Sequence, residues 1–342
     1  MPPQEPTFHP SDLLKSEHNE SLDFVKNDYI QGSRKKSNHH IEYTRDELLS
    51  YSKCFTSITE NKNSFLLSIT TLPSILIRYG VLFPFRLMTL TASTIAFFLS
   101  LPIGVVLKNN DFVSLCVKYY CKGILFSLGV KVDYIGKKAE LKEPHVFVAN
   151  HTSYLDYILL GANKFPHAVV MARHSGVLGF LQNNGLNYLH SLTFDRSNIT
   201  ERKILSESLK KHVHLSNTWK NPMIIFPEGT CVNNKYIIRF QKGAFELGAK
   251  VCPIGIKYDR YFGDPYWDTR KGFMSYAYYR MTRWITPVKV VYCQPQSPQE
   301  NEDAVDFSNR VKDIIATKIG LEKVDFNGTA KRELLRVLKE VS

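Results

Sequence analysis

The sequence predicts an α/β fold with a mostly parallel central sheet and helices on both faces, preceded by an N-terminal membrane-embedded helical region. Two observations predict it. From residue 129 onward, short apolar runs of strand length alternate with longer segments of helical period, which is typical of a parallel sheet covered by helices. Before residue 129 lies a long uncharged stretch rich in Leu, Ile and Phe.

The net charge limits the classes of partner. The 342 residues carry a formal charge of +12, but residues 1–64 hold eight Lys and Arg against ten Asp and Glu, so the rest carries +14. A basic body can serve nucleic acid, an anionic membrane surface or a phosphorylated substrate. Nucleic acid is disfavoured because zinc-finger spacing and long basic runs are missing from the sequence. The six cysteines form no CxxC pair and indicate isolated thiols of a reducing compartment.

Composition divides the chain into three regions. Residues 1–64 are polar and predicted to be disordered, with a possible short helix near residues 44–53 and without the features of a signal peptide. Residues 65–128 are apolar and predicted to form membrane-associated helices. Residues 129–342 form the predicted α/β domain.

The apolar region contains one stretch long enough to cross a bilayer. Leu87 to Leu107 are 21 residues without a charge, and a straight helix of that length spans roughly 30 Å, the thickness of a bilayer core. One spanning helix, or a re-entrant pair formed with residues 65–85, which Pro73 and Pro84 interrupt, are both open. The competing interpretation is a long core helix of a soluble domain.

The α/β region is predicted to continue in regular alternation. Glycine at position 129 suits the end of the last apolar helix. The predicted strands are residues 130–134, 146–149, 169–172, 189–194, 223–226, 251–256 and 288–292. The predicted helices are residues 112–128, 176–186, 198–215, 303–319 and 329–341.

A polar turn after the second strand carries the main catalytic candidates. Val146–Ala149 are predicted to form a buried strand, and Thr152 or Ser153 to cap a helix that follows. His151 then lies at the carboxyl end of a strand, where ligands bind in open α/β sheets. Asp156 lies one helical turn further on, within reach of the imidazole.

A carboxylate on one imidazole nitrogen fixes the tautomer and leaves the other nitrogen able to take a proton. The pair of His151 and Asp156 therefore predicts a general base without an enzyme serine, so that the hydroxyl it activates belongs to a substrate. For this pair alone, the alternative is a surface histidine beside a helix-capping aspartate.

Other strand ends carry residues suited to an anionic or polyhydroxylated ligand. Arg196 offers a planar fork for a phosphate. Glu228, Gly229 and Thr230 combine an acceptor, a bare backbone amide and a hydroxyl. Lys242, before a predicted helix, could bind an anion with its ammonium and the helix N-terminus together. A surface ion pair, a turn and a solvated lysine are the respective alternatives.

Four motifs occur in the order of the four blocks of the glycerophospholipid acyltransferase superfamily, which the chain therefore resembles. They are Asn150-His151-Thr152-Ser153-x-x-Asp156, Phe194-x-Arg196, Phe226-Pro227-Glu228-Gly229-Thr230 and Val251-x-Pro253-Ile254. The run from Phe226 to Gln294 is similar to the endoplasmic-reticulum glycerol-3-phosphate acyltransferases of the branch related to the acylglycerol-phosphate enzymes. The resemblance covers residues 78–338. One departure is Tyr154-Leu155, where relatives commonly have a proline after the serine, and it leaves the acceptor preference open.

The resemblance implies transfer of a fatty acyl group from acyl-CoA to glycerol 3-phosphate at the endoplasmic-reticulum membrane, giving 1-acylglycerol 3-phosphate for phospholipid and triacylglycerol synthesis. His151 would deprotonate the sn-1 hydroxyl and Asp156 would orient His151. Arg196 and the Glu228–Thr230 block would hold the glycerol phosphate, with Asn150 and Lys242 as further binding candidates.

Acyl-CoA is expected as co-substrate and membrane lipid as partner, with no metal and no other cofactor. Two alternatives stay open. One is an acceptor of the lysophospholipid class, either lysophosphatidic acid or a lysophosphatidylcholine-type molecule. The other is a catalytically silent membrane-shaping protein with the same fold.

Three remaining features receive plainer interpretations. Residues 258–292 hold eleven aromatic residues interleaved with Arg and Lys, which suits either a membrane interface or packing onto the core. The pairs His39-His40 and His212/His214 lack the partners of a metal site and are predicted to be solvated. Cys231 has no nearby base in sequence and is interpreted as structural.

Overall fold

A seven-stranded sheet organises this computed structural model, which describes residues 43–58, 72–172, 191–194, 199–268 and 270–341. The strands are β1 Val130–Ile135, β2 His145–Ala149, β3 Ala168–Ala172, β4 Leu192–Phe194, β5 Met223–Ile225, β6 Tyr236–Ile237, β7 Lys250–Tyr258, β8 Thr286–Tyr292 and β9 Glu322–Lys323. The main sheet has the order β1-β8-β7-β2-β5-β3-β4, and β6 pairs with β9 separately. Every neighbouring pair is parallel except β7 and β8. The predicted mostly parallel sheet is confirmed.

Eight helices occur within the described residues. They are α1 Arg45–Tyr51, α2 Leu72–Val106, α3 Asn110–Ser127, α4 Leu155–Gly161, α5 Ile199–His214, α6 Phe273–Met281, α7 Ala304–Ile319 and α8 Lys331–Val341. Helix α6 falls in the aromatic stretch and was not predicted, because its aromatic residues give no clear helical period. The helix predicted at residues 176–186 lies outside the described residues.

Alternating side chains of β2 separate two cores. Phe147 and Ala149 face a core that includes Val117 and Cys121 of α3 and Leu159 of α4. Val146 and Val148 face the opposite core, which includes residues of α5 and α7. Helices therefore cover both faces of the sheet, and both faces of β2 are buried as its uninterrupted apolar run indicates.

The apolar helix α2 is continuous where the sequence predicts interruptions. Pro73 lies at the beginning of the described part of this helix. Pro84 lies two residues after a π-helical stretch, Arg78–Leu82, and such a local change of winding accommodates a proline. A re-entrant break within residues 72–106 is therefore excluded. Only 17% of the most apolar window of α2 is buried, so the core-helix interpretation fails, and α2 is long and apolar enough to cross a membrane.

Helix α2 is in contact with the α/β domain through α3. It packs antiparallel on α3, where the rings of Phe97 and Tyr120 stack with centroids 4.4 Å apart. The buried side of α3 belongs to the same core as the sheet. At the start of α3, Ser114 donates to the Asn221 side chain at 3.1 Å and Asp111 pairs with Lys220 at 3.0 Å.

Residues 45–58 belong to the region predicted as mostly disordered, yet they pack on the α/β domain. Helix α1 confirms the short helix expected near residues 44–53. Beyond it, the Asn233 N–H donates to the Cys54 carbonyl at 2.9 Å, and the Ile58 N–H donates to Asp264 at 2.7 Å. These long-range bonds, which composition cannot reveal, order the segment.

Candidate active site

A strand, a turn and a short helix carry the histidine and the aspartate. β2 ends at Ala149, and α4 begins at Leu155 with its first N–H donated to Ser153 Oγ at 3.2 Å. The hydroxyl predicted as a cap thus binds the helix start. Between them, the Asn150 amide both donates to Ile256 O at 3.0 Å and accepts from Ile256 N at 2.8 Å. Asn150 therefore ties the end of β2 to β7 beside the histidine.

His151 and Asp156 are in contact. The imidazole Nδ1 lies 2.9 Å from Asp156 Oδ2, and the histidine side chain is 21% exposed while the carboxylate is fully buried. The same oxygen accepts the backbone N–H groups of Thr152 at 2.6 Å and Ser153 at 2.8 Å. These backbone bonds hold the carboxylate in one orientation. Its contact with Nδ1 in turn orients the imidazole, with Nε2 pointing away from Asp156.

A tyrosine that the sequence did not single out completes the carboxylate's contacts. The Tyr258 hydroxyl, at the end of β7, donates to Asp156 Oδ1 at 2.5 Å. Both carboxylate oxygens are therefore occupied, one by the turn and one by a neighbouring strand. Tyr258 and Asp156 are 102 positions apart in the sequence, so sequence reasoning could not predict this contact.

The other nitrogen of the imidazole meets a thiol. Cys231 Sγ lies 3.4 Å from His151 Nε2, and the ring stacks on Phe226 with centroids 4.4 Å apart. Cys231 was interpreted as structural because the sequence shows no base near it, and the fold brings its sulfur into contact with His151. Burial lowers the pKa of His151, but the Cys231 sulfur and the Asp156 carboxylate favour the charged ring more and raise the pKa to about 10.

Glu228 binds the backbone of the turn that carries His151. Its Oε2 accepts the His151 N–H at 2.8 Å and its Oε1 accepts the Ile238 N–H at 3.4 Å, with the side chain 1% exposed. Burial raises the pKa of Glu228 to about 8, against the hydrogen bond from the His151 N–H. The third motif and the first are thus joined by one glutamate.

Gly229 and Thr230 continue this turn beside the histidine. Gly229 has φ +68°, a conformation that favours glycine, and a Cβ added there would meet no atom within 4 Å. The His151 carbonyl accepts the Val232 N–H at 2.8 Å, so the segment after Thr230 runs alongside the turn that carries His151. The arrangement leaves open space next to a bare backbone, which a substrate could occupy.

Of the two residues predicted to bind an anion through a cationic side chain, the structure describes only Lys242. Arg196 lies outside the described residues. Lys242 begins a 3₁₀ turn, Lys242–Ala244, rather than the predicted helix, because the Phe245 N–H closes that turn on the Lys242 carbonyl. Its ammonium is exposed and pairs with Glu246 at 2.7 Å.

The exposure of the histidine pairs and of the aromatic stretch can be compared with the predictions. His212 is buried, so the expectation that it is solvated is wrong, whereas His214 is exposed as expected, with its Nε2 2.9 Å from the Leu247 carbonyl oxygen. His39-His40 lie outside the described residues. In the aromatic stretch, Tyr258, Tyr266, Tyr276 and Tyr292 are buried, as the core-packing interpretation expects. Tyr261, Tyr278, Tyr279 and Trp284 are exposed, so for them the membrane interface stays a prediction.

Comparison with known proteins places this geometry in a family. The Acyltransferase family profile matches residues 131–257, which include His151, Asp156 and Glu228. "Glycerol-3-phosphate acyltransferase 3-like" of Danio rerio is 33% identical over 327 residues, covering 91% of this chain and 72% of the relative. The chain belongs to the glycerol-3-phosphate acyltransferase family.

Other members of the family show the same relationship over shorter spans. "Glycerol-3-phosphate acyltransferase 3" of Xenopus laevis is 34% identical and covers 85% of this chain, and "Glycerol-3-phosphate acyltransferase 4" of Mus musculus is 35% identical and covers 77%. The chain spans 66% and 58% of those relatives. A crystal structure of the 1-acyl-sn-glycerophosphate (LPA) acyltransferase of Thermotoga maritima aligns with a TM-score of 0.46 at 19% identity, over 74% of this chain and 97% of that one.

Proposed function

We propose that this protein transfers a fatty acyl group from acyl-CoA to the sn-1 hydroxyl of glycerol 3-phosphate, giving 1-acylglycerol 3-phosphate and CoA. The observation that carries the proposal is the contact of His151 Nδ1 with the buried Asp156 carboxylate at 2.9 Å, at the end of a parallel strand. The names of the relatives support glycerol 3-phosphate as the acceptor.

The chemistry follows from this pair. His151 Nε2 takes the proton of the acceptor hydroxyl while the oxygen attacks the thioester carbonyl carbon of acyl-CoA. The C–S bond then breaks, and the departing thiolate receives the proton from the imidazolium, so the histidine returns to its starting state. Asp156 stabilises the imidazolium between these two steps. A thioester has a good leaving group, so an acyl-enzyme intermediate is not needed.

The acceptor would lie against the Glu228–Thr230 turn. In this proposal, Glu228 holds the turn to the histidine backbone, the open space at Gly229 admits the glycerol, and the Thr230 hydroxyl contacts the acceptor. Arg196 would bind the phosphate as a fork of donors. Lys242 remains a candidate for longer-range attraction of the same anion.

The membrane is the proposed location of the reaction, specifically that of the endoplasmic reticulum. The exposed apolar surface of α2 supports membrane association, because contiguous apolar surface of this size marks a lipid or protein contact. The product of the reaction is itself a membrane lipid. Fractionation of cells expressing a tagged chain, with organelle markers, tests the compartment.

The experiment that tests the function uses membranes containing the full chain, labelled acyl-CoA and three acceptors: glycerol 3-phosphate, lysophosphatidic acid and lysophosphatidylcholine. We expect label in 1-acylglycerol 3-phosphate, and its loss in the His151→Ala variant at unchanged membrane content. Incorporation into a lysophospholipid alone would assign the other acceptor class. A cellular effect that survives His151→Ala without any transfer would indicate the membrane-shaping alternative.

A further inference from the structure

The first residue of helix α8 contacts the turn proposed to hold the acceptor. Lys331 Nζ lies 3.0 Å from Thr230 Oγ1 and 3.2 Å from the Cys231 carbonyl oxygen, and the residue is 8% exposed. The ring of Phe55 covers the ammonium, with Nζ 4.6 Å from the ring centroid, within the range of a cation–π interaction. One buried ammonium thus binds two successive residues beside His151.

The chain before Lys331 is fixed by its own contacts. The Phe326 carbonyl accepts the Arg239 N–H at 3.1 Å, and Asn327 Oδ1 accepts from the Gln241 side chain at 2.8 Å. Gly328 lies so close to the turn that a Cβ there would overlap the Glu228 carbonyl oxygen. The position of Lys331 is therefore set by packing around the turn and not by the freedom of a surface side chain.

The contact determines the direction of the Thr230 proton. An ammonium group has only donors, so in the contact with Lys331 the Thr230 oxygen must accept. Its single O–H is then directed to a different acceptor. A hydroxyl that accepts a bond from a cation is also a stronger donor, because the two bonds polarise one another. Such an O–H suits an anionic oxygen.

We propose that Lys331 is a positioning residue for the phosphate-bearing acceptor: it turns the Thr230 hydroxyl to donate to the phosphomonoester of glycerol 3-phosphate. The proposal rests on the proposed function. In this role Lys331 acts through Thr230, and it lies in α8, beyond the residues 131–257 that the family profile matches. The acyl donor makes no use of this contact.

The test is steady-state kinetics of the full chain in membranes, with each substrate varied in turn. In Lys331→Met we expect the KM for glycerol 3-phosphate to rise roughly tenfold or more, as for a lost hydrogen bond to a charged group, with the KM for acyl-CoA unchanged. Lys331→Arg keeps charge and donors and should recover much of the affinity. Arg332→Met removes the same charge from the exposed neighbouring position and should leave both constants unchanged.

A double-mutant cycle separates positioning through Thr230 from a general structural role. Thr230→Val should raise the same KM, Thr230→Ser should not, and Thr230→Val with Lys331→Met should be no worse than Thr230→Val alone. If Lys331→Met does not fold, the two Thr230 variants still decide, because an unchanged KM in Thr230→Val overturns the proposal.

The remaining outcomes are also decisive. Equal effects on both KM values, or additive effects of the two substitutions, would overturn the positioning role. Wild-type protein that acylates no glycerol 3-phosphate would contradict the proposed function instead. If the wild-type protein acylates glycerol 3-phosphate but Lys331→Met has the same KM for this substrate, only the present inference is contradicted.

Discussion

The Cys231 sulfur lies 3.4 Å from His151 Nε2, on the nitrogen that receives the substrate proton in the proposed reaction, while Asp156 Oδ2 lies 2.9 Å from Nδ1. The ring is thus held at both nitrogens. An acceptor hydroxyl must take the place of the thiol at Nε2 before proton transfer. The two neighbours also stabilise the charged ring and raise the pKa of His151. A general base works only when neutral, so the influence of Cys231 and Asp156 on the pKa of His151 affects the pH dependence of the proposed reaction.

Cys231→Ala should shift the acidic limb of the kcat/KM profile to lower pH. Without the sulfur the charged ring loses a stabilising neighbour, so the pKa of His151 falls and the neutral base is populated at lower pH. Rates measured across the pH range check this. Cys293→Ala, at a cysteine with no His151 contact among the described residues, should leave the limb in place. An acidic limb unmoved by Cys231→Ala would show that the thiol does not influence the base.

Asp156→Asn should lower kcat by roughly 10³–10⁴-fold, as expected when the group that orients a catalytic imidazole loses its charge. Asp156 accepts hydrogen bonds at both oxygens, and the amide of asparagine can accept at one only. Its NH₂ group must therefore face a donor, either Tyr258 or the backbone of the turn. Single-turnover rates at saturating substrates measure the loss.

Tyr258→Phe tests the outer contact of the same carboxylate. It removes one hydrogen bond at 2.5 Å, and we expect kcat to fall by roughly tenfold. Tyr261→Phe, at an exposed position three residues further on, is the matched control and should keep wild-type activity. A Tyr258→Phe enzyme as fast as wild type would mean that the backbone donors of Thr152 and Ser153 suffice to orient Asp156.

Glu228→Gln should flatten the dependence of thermal stability on pH. Burial raises the pKa of Glu228 to about 8 in the folded state, above the 4.5 of an exposed glutamate. Between these values the folded state holds a proton that the unfolded state has released. This contribution to the free energy of unfolding is therefore fully present below about pH 4.5 and is lost as the pH rises to about 8.

The melting temperature of detergent-solubilised protein between pH 5 and pH 8, about the range in which only the folded state holds this proton, measures the effect. In Glu228→Gln the decline with rising pH should be weaker than in wild type. Glu333→Gln, at an exposed position of α8, should decline as wild type does. Identical slopes for all three proteins would count against a raised pKa at Glu228.

The loop between α2 and α3 should lie on the same side of the membrane as the catalytic domain. Helix α3 is packed into the domain core, and the Asp111–Lys220 pair and the Ser114–Asn221 bond hold its first turns to the domain. In sealed vesicles, Lys108→Cys and Glu300→Cys should therefore react alike with a membrane-impermeant maleimide, above the background of the wild-type cysteines. Protection of one position but not the other would contradict this prediction, because the chain would then have to cross the bilayer between residues 108 and 300.

Much of the site was predictable because its central pair is local. His151 and Asp156 are five residues apart in one strand–turn–helix unit, whose geometry follows from an apolar run, a polar turn and a capping hydroxyl. Glu228 was predictable as a member of the site, yet its partner, the His151 N–H, was not. Cys231 and Tyr258 were missed as contacts of the pair, because each lies 80 or more residues from the side chain it touches.

By itself the sequence determined the alternation of strands and helices, the burial of β2 on both faces and the position of His151 beside Asp156, since periodicity and short spacing act within a few residues. Tertiary structure alone decided the antiparallel pairing of β7 with β8 and the continuity of α2 through Pro84. It also decided that Cys231, Tyr258 and Lys331 contact residues of the candidate site. Those features depend on strand register and on the packing of distant segments. A hydrophobic pattern states which face of an element is buried, but not which residue of another element meets it.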